Sequence, residues 1–189
     1  HHKDDDHNNN KLDNLVTICQ FCHNCQHIGF AGQMGEAKLI WLPEIEQYEL
    51  HHIVRSIMVV RREYEKNKSG RSRPGMQGSS QEAISKLAES ANALFNILQA
   101  RSAKAEQFLG TDGLVSLGNA LEEMARENMK IYENRKNLLD GFRLLPLGYR
   151  KKGGVNLYDT IIDTWTAAGS NGGYVGITPR TWQALISDL

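Results

Sequence analysis

The residues most able to do chemistry are the cysteines and histidines crowded between Cys19 and His27. Cys19 and Cys22 are spaced so that both thiolates can reach one ion from a single tight turn, as in a zinc knuckle. The pair supplies half of the four ligands that a structural zinc site needs, and the remainder come either from residues absent from this chain or from other candidates within it. Those candidates are Cys25, His23, His27, His1 and His2. The alternative, that small buried thiols simply fill a core, is disfavoured by three cysteines in so short a stretch. We therefore predict a Zn²⁺ site on Cys19 and Cys22.

Composition limits the classes of function. The 189 residues carry 22 basic and 22 acidic side chains and a formal net charge of +0, so no overall field draws the chain to nucleic acid or to an anionic membrane. The longest apolar runs are far shorter than the roughly 18 residues that a membrane-spanning helix needs. Cysteines clustered as metal ligands are typical of a reducing compartment. The sequence therefore predicts a cytoplasmic protein without a membrane span.

The chain opens on a polar run from His1 to His7 that contains no initiator methionine. Two interpretations stay open. The run is either the remnant of an affinity tag and protease site, or the chain begins inside a native motif. A native sequence continuing into His1 would decide for the second.

A small ββα unit is predicted for residues 1–66. Residues 12–18 are compatible with a strand, a second strand is expected at residues 38–42, and Pro43 suits the first turn of an amphipathic helix that runs to about residue 65. The apolar face of this helix comprises Leu50, Ile53, Val54, Ile57 and Met58. His51 and His52 are interpreted as surface histidines, because adjacent helical residues point about 100 degrees apart and do not easily share one ion.

The rest of the chain is predicted to be mainly helical. Residues 67–80 are rich in glycine, serine and basic side chains and are predicted to be a flexible basic linker. Ser79 and Glu82 form a capping box for the next helix. Residues 141–150 are interpreted as an apolar connector that packs on the core. Further helices are expected over residues 81–98, 113–138, 157–165 and 178–186. The predicted fold class is therefore α+β, with a zinc-bound ββα core at residues 1–66 and a helical region at residues 81–189.

The order and spacing of His1-His2, Asn14-Leu15 and Cys19-x-x-Cys22-His23 resemble the ββα-metal core of HNH nucleases. In that resemblance His2 matches the general base, His1 and His23 match ligands of the catalytic cation, and Asn14 orients the base or pins the loop. This chemistry is coherent, because a neutral imidazole can take a proton from water while a divalent cation stabilises charge on a phosphate. The four-cysteine members of that family carry a further Cys-x-x-Cys before the histidine pair, and we expect the core at residues 1–66 to be N-terminally truncated at that point.

Longer segments are similar to the IcmJ/DotN family of type IVB secretion systems. These segments are the run from Asn8 to Cys22, Leu39-Ile40-Trp41-Leu42-Pro43-Glu44 and Arg143-Leu144-Leu145-Pro146. The resemblance covers roughly residues 8–60 and, more loosely, residues 142–165. It implies a zinc-bound, HNH-like cytoplasmic protein, peripheral to the inner membrane, that binds the C-terminal tail of the coupling ATPase. His1, His2 and His23 depart from that family, in which the catalytic histidines are lost.

The predicted function is therefore a non-catalytic adaptor of a type IV secretion or conjugation coupling complex. Its helical region would hold the ATPase tail through a few large anchors, because interface energy concentrates in such side chains. The predicted anchors are Phe142, Leu144, Leu145, Tyr149, Trp165 and Trp182. Core packing is the alternative explanation of the tryptophans.

Two other functions stay open. One is an HNH-type, metal-dependent DNA endonuclease that acts through His2, Asn14 and His23. The other is a zinc-dependent module that binds nucleic acid without cleaving it. No arginine-rich or aromatic groove accompanies these histidines in the sequence, so a nucleic-acid partner is less favoured.

Overall fold

A two-stranded antiparallel sheet joins distant parts of the chain. The computed structural model describes residues 1–4, 6–70, 81–111 and 113–165. Strand β1 (Ala37–Trp41) pairs with strand β2 (Phe142–Pro146), and Leu39 lies opposite Leu144. Residues 142–146 are therefore a strand rather than part of a connector, because their backbone is hydrogen-bonded to β1, and their burial confirms that this segment packs on the core.

Most of the predicted strand at residues 12–18 is not a strand. Leu12–Asn14 form a 3-10 helix, and Leu15 makes an isolated antiparallel bridge to His2. Leu12, Leu15 and Val16 are exposed. A strand is stabilised by burying one face, and these side chains have no core to pack against.

Two long amphipathic helices pack on each other and on the sheet, which confirms both predictions. Helix α3 (Gln47–Lys68) begins at Gln47 rather than at Pro43, because the N–H of Glu46 donates to Glu49 Oε2 (2.7 Å) in a capping box. It includes the first two residues of the predicted linker. Helix α4 (Gln81–Ala100) lies alongside it. Residues 71–80 of the linker, including the predicted cap Ser79, lie outside the described residues.

The predicted helix over residues 113–138 is broken into three: α6 (Leu114–Glu127), α7 (Met129–Glu133) and α8 (Arg135–Leu138), after the separate helix α5 (Ser102–Leu109). The break lies at Asn128, whose backbone leaves the helical conformation (φ −151°, ψ 85°). Its side-chain oxygen accepts a hydrogen bond from the Ile131 N–H (3.3 Å), so Asn128 caps α7 instead of continuing α6.

Two short helices, α1 (Gln20–Asn24) and α2 (Ile28–Gln33), precede the sheet. Helix α2 crosses α6 where two glycines meet. A Cβ atom on Gly118 would lie 2.7 Å from the Cα of Gly29, so this close approach requires glycine.

The last described helix, α9 (Leu157–Trp165), follows a hairpin of β3 (Lys151–Lys152) and β4 (Val155–Asn156). Ion pairs tie α9 to α3. Arg62 contacts Asp163 at 2.8 Å and Asp159 at 3.1 Å. The hydrogen bond from Arg62 lowers the pKa of Asp163 to about 2. The predicted helix at residues 178–186 lies outside the described residues.

Two clusters of buried side chains form the core of the described residues. The larger cluster takes side chains from α1, β1, α3, α4, β2 and α9, so residues from both sides of the predicted linker share one core. The smaller cluster comprises Cys25, Ala31, Leu39, Ala105, Leu114 and Leu144. Helices combined with a small antiparallel sheet confirm the α+β class. None of the helices in the described part of the chain has the length and apolar character needed to cross a membrane.

Candidate metal centre

The first residues of the chain lie beside α1 because of a short antiparallel pairing. The His1 carbonyl accepts a hydrogen bond from the Val16 N–H (3.0 Å), and the Lys3 N–H donates to the Asn14 carbonyl (2.8 Å). The pairing brings His1 next to His23.

Asn14 closes the loop between the paired segments. It is buried, and its side-chain amide donates to the Asn9 carbonyl (2.8 Å) and to Asp4 Oδ1 (2.9 Å). Its own side-chain oxygen accepts from the Asp4 N–H (3.3 Å). These bonds hold the loop in place, and the role that the resemblance implied for Asn14 stays a prediction.

Three imidazoles converge where the pairing meets α1. His1, His23 and His27 each offer one ring nitrogen, and these atoms lie within 4.8 Å of one another. The Nε2 atoms of His23 and His27 are 3.2 Å apart, and the ring of His1 lies 5.8 Å from that of His23. Among the described residues, these three are the potential metal ligands that lie close enough together to bind one ion. We call these three residues the histidine centre.

The donor set of the histidine centre fits a transition metal. Zn²⁺ binds imidazole nitrogen, and three protein ligands with an open fourth position are the arrangement of catalytic zinc sites. Desolvation lowers the pKa of His23, and the nearby His27 and N-terminal amine lower it further. This favours the neutral imidazole, which is the form that binds metal.

A pocket of about 290 Å³ opens over the centre and is lined by His1, His2, His7, His23 and His27. His2 Nε2 lies 3.0 Å from Asn10 Oδ1, so Nε2 donates and Nδ1 is left to accept a proton, as a general base requires. The ring of His7 lies 5.2 Å from that of His2.

The sequence did not indicate His7 and Asn10 as site residues, because neither belongs to the motif. The prediction included His27 only as a ligand completing the cysteine site, although His23 and His27 at the i, i+4 spacing of one helical face were a signal for a pair of their own.

The predicted ligands Cys19 and Cys22 form a separate pair. Cys19 caps the N-terminus of α1, Cys22 lies in its first turn, and the two thiols are hydrogen-bonded. That bond lowers the pKa of Cys19 to about 5, with a smaller effect from Arg55, and raises the pKa of Cys22. A thiolate pair suits Zn²⁺, but among the described residues no third ligand atom joins it to form a group of three.

Among the described residues, Cys25 is not part of the group of three ligand atoms. It is buried in the smaller core cluster, where desolvation raises the pKa of its thiol to about 12. Its burial is that of a core side chain, which is the alternative weighed for the cysteines.

Two of the predicted partner anchors are unavailable to a partner. Leu144 and Leu145 are buried in β2, one in each core cluster, so their side chains belong to the interior of this chain. The outer edge of β2 is also covered, because the side-chain amide of Gln47 bonds both the N–H and the carbonyl of Leu144 (2.8 Å each). The expectation that these leucines contact another protein is corrected accordingly.

The other predicted anchors lie nearer the surface. Phe142 is half-buried against Trp41, with ring centroids 4.9 Å apart, and Tyr149 is 45% exposed. Trp165 is half-buried, and its ring contacts Phe21 (5.8 Å) on one side and the Arg55 guanidinium (4.5 Å) on the other. Trp182 lies outside the described residues.

A wide groove of about 930 Å³ adjoins the histidine pocket and shares His1 with it. It runs along α6 and α8, and its ionisable lining is mixed. The basic residues are Lys3, Arg135, Lys136 and Arg143, and the acidic ones are Glu46, Glu122 and Asp140. A nucleic-acid strand would call for a dominantly basic lining, which this groove lacks.

Comparison with known proteins gives one local likeness. No protein-family model matches the chain. The chain is similar to the type 4 apparatus protein DotN of Legionella pneumophila, with 45% identity over 53 residues. The matched region is 26% of this chain and 24% of that protein, so the chain spans about a quarter of the length of this curated relative.

Proposed function

We propose that this chain is a component of a type IV secretion apparatus, in which it acts as a metal-binding adaptor for the C-terminal tail of the coupling ATPase. The observation that carries the proposal is the 45% identity with DotN over 53 residues. The proposed cofactor is Zn²⁺. The proposed location is the cytoplasm, at the periphery of the inner-membrane complex.

The surface supports a protein partner better than a nucleic acid. The groove beside the histidine pocket mixes both signs of charge, which suits a peptide carrying charges of both signs. Tyr149 is the most exposed of the described predicted anchors, and a tyrosine provides a large amphipathic contact at low entropic cost. The proposed partner surface therefore keeps Tyr149 and leaves out the buried Leu144 and Leu145.

The test is a binding titration with the C-terminal tail of the type IV coupling ATPase encoded in the same genome. We expect Tyr149→Ala to weaken binding by about 2 kcal/mol, roughly thirtyfold, if Tyr149 is a true anchor. The matched control is Tyr48→Ala, which removes a 63% exposed tyrosine from α3 and should leave binding unchanged. Absence of any binding to the tail, or an equal loss in both variants, would contradict the proposal.

A second candidate is favoured by one specific observation, the histidine centre with His2 beside it. A divalent cation at this centre would stabilise charge on a scissile phosphate. In that reaction His2 would take a proton from water, because its Nε2 donates to Asn10 Oδ1 and its Nδ1 is left as acceptor. This arrangement supports a metal-dependent endonuclease as the alternative function.

Plasmid nicking separates the two candidates. For an adaptor we expect no nicking with added Mg²⁺, Mn²⁺ or Ni²⁺, since the groove that the described residues form beside the centre is not dominantly basic. Nicking that persists in the control His52→Ala and disappears in His2→Ala would reverse the ranking in favour of the endonuclease. His52 is exposed on α3 and serves as the matched histidine.

A further inference from the structure

The two helices that carry the histidine centre are too short to hold its geometry alone. Helix α1 has 5 residues and α2 has 6, and isolated helices of that length are not stable in water. His23 lies in α1, and His27 directly precedes α2. Their separation therefore depends on contacts that fix this segment to the rest of the fold.

Asn24, next in sequence to His23, provides such a contact. It is 4% exposed, and its side-chain amide donates hydrogen bonds to Glu36 Oε2 and to the Tyr158 hydroxyl (2.8 Å). The backbone carbonyl of Asn24 accepts from the His27 N–H (3.2 Å). A movement of Asn24 is thus transmitted to both histidines, to one through the peptide bond and to the other through a hydrogen bond.

The groups that hold Asn24 come from remote parts of the chain. Glu36 lies directly before β1, is 1% exposed, and also accepts from the Tyr158 hydroxyl (3.2 Å). Its second oxygen is paired with the Arg150 guanidinium. Tyr158 belongs to α9 and is 2% exposed. A carboxylate this deeply buried is stable only when its oxygens are satisfied, so the network occupies one well-defined arrangement.

We propose that Asn24, Glu36 and Tyr158 are positioning residues of the histidine centre, which hold His23 and His27 at the separation needed to share one metal ion with His1. The inference rests on the proposed metal centre. Groups that hydrogen-bond directly to metal ligands typically change affinity by about 10–100-fold when removed, and for residues that act through the backbone we expect the lower end of that range.

The test measures Co²⁺ binding by the full chain, with the visible spectrum of the bound ion as a report of ligand geometry. We expect Asn24→Ala to weaken Co²⁺ binding about tenfold or more and to alter the spectrum. Tyr158→Phe, which removes one hydroxyl, should have a smaller effect in the same direction. The control Leu98→Ala truncates a buried side chain in α4 and should lower stability while leaving Co²⁺ affinity unchanged.

A measurement without metal keeps positioning separate from metal binding. In the metal-free chain, the imidazole NMR resonances of His23 and His27 should shift in Asn24→Ala and stay in place in Leu98→Ala. If wild type binds no Co²⁺, the metal centre fails, and these resonances still decide whether the network positions the two rings. Unchanged resonances in folded Asn24→Ala would overturn the inference, and if that variant does not fold, Tyr158→Phe decides by the same criterion.

Discussion

Replacing His23 with alanine is expected to lower the affinity of the chain for Zn²⁺ about a hundredfold or more. A four-ligand structural zinc site binds with an apparent free energy of about 10–16 kcal/mol, or roughly 3 kcal/mol for each ligand. His23 lies at the middle of the histidine centre, with its Nε2 atom 3.2 Å from that of His27 and its ring 5.8 Å from that of His1. Calorimetric titration of the metal-free chain gives the affinity, and His27→Ala should show a loss of similar size.

The control for this prediction is His52→Ala, which removes an exposed histidine of α3 and should leave zinc affinity unchanged. The double variant Cys19→Ser, Cys22→Ser tests the competing site. Zinc retained by the cysteine variant and lost by His23→Ala would assign the ion to the histidines. Unchanged zinc affinity in both His23→Ala and His27→Ala would exclude the histidine centre as the zinc site. Loss of zinc binding in the cysteine variant alone would assign the ion to the site predicted from the Cys-x-x-Cys spacing.

Acidification from pH 6.5 to about pH 4 is expected to lower the free energy of unfolding by about 3 kcal/mol through His51 alone. Burial lowers the pKa of His51 from 6.5 to about 4, with smaller contributions from His52 and Arg55. Each pKa unit corresponds to about 1.4 kcal/mol. Below pH 6.5 His51 is protonated in the unfolded chain but stays neutral in the folded chain. The free energy of unfolding therefore decreases as the pH is lowered, until His51 is also protonated in the folded chain near pH 4.

The hydrogen bonds around His51 explain why it stays neutral. The side-chain amide of Gln47 lies 2.9 Å from His51 Nε2 while it also donates to the Leu144 carbonyl, so Nε2 must accept. The ring packs edge-on against Phe21, with centroids 5.6 Å apart. A proton on Nε2 would face a donor inside an apolar environment, which is costly without a partner.

Denaturant titrations between pH 7.5 and pH 4 measure this effect. His51→Gln removes this titrating group and should reduce the pH dependence in this window, leaving the contribution of His23, whose pKa is also lowered, whereas the exposed neighbour His52→Gln should follow wild type. Asp163, with its pKa near 2, loses its contribution only below about pH 4 and does not obscure the measurement. A slope in His51→Gln equal to that of wild type would show that His51 is not the acid-sensitive group.

The two long helices could be predicted from the sequence because their information is local. Leu50, Val54, Ile57 and Met58 in α3 recur at the spacing of one helical face, and they are buried in the larger core cluster. Helix hydrogen bonds connect residues four apart, so the pattern and the structure lie in the same window of sequence. The same reasoning gave a wrong prediction for His51. A polar residue type indicated an exposed side chain, but His51 lies on the packed face of α3 and is buried.

The pairing of β1 with β2 could not be predicted in this way. Phe142–Pro146 shows an apolar run that fits a buried connector as well as a strand, and its partner lies about a hundred residues earlier. Strand pairing satisfies backbone hydrogen bonds between distant segments, so its register is decided by the packing of both faces. For that reason Leu144 and Leu145 were expected at a partner surface and instead lie in the core.

By itself the sequence determined that this is an α+β chain with amphipathic helices and a thiol pair on one helical turn, because those features depend on neighbours along the chain. The tertiary structure decided which potential ligands meet. His1 reaches His23 and His27 only because the backbone pairing of His1 with Val16 folds the first residues against α1. Cys25 is buried because its side chain packs into the smaller core cluster. A metal site depends on distances between side chains, and spacing along the chain limits those distances only within a single turn.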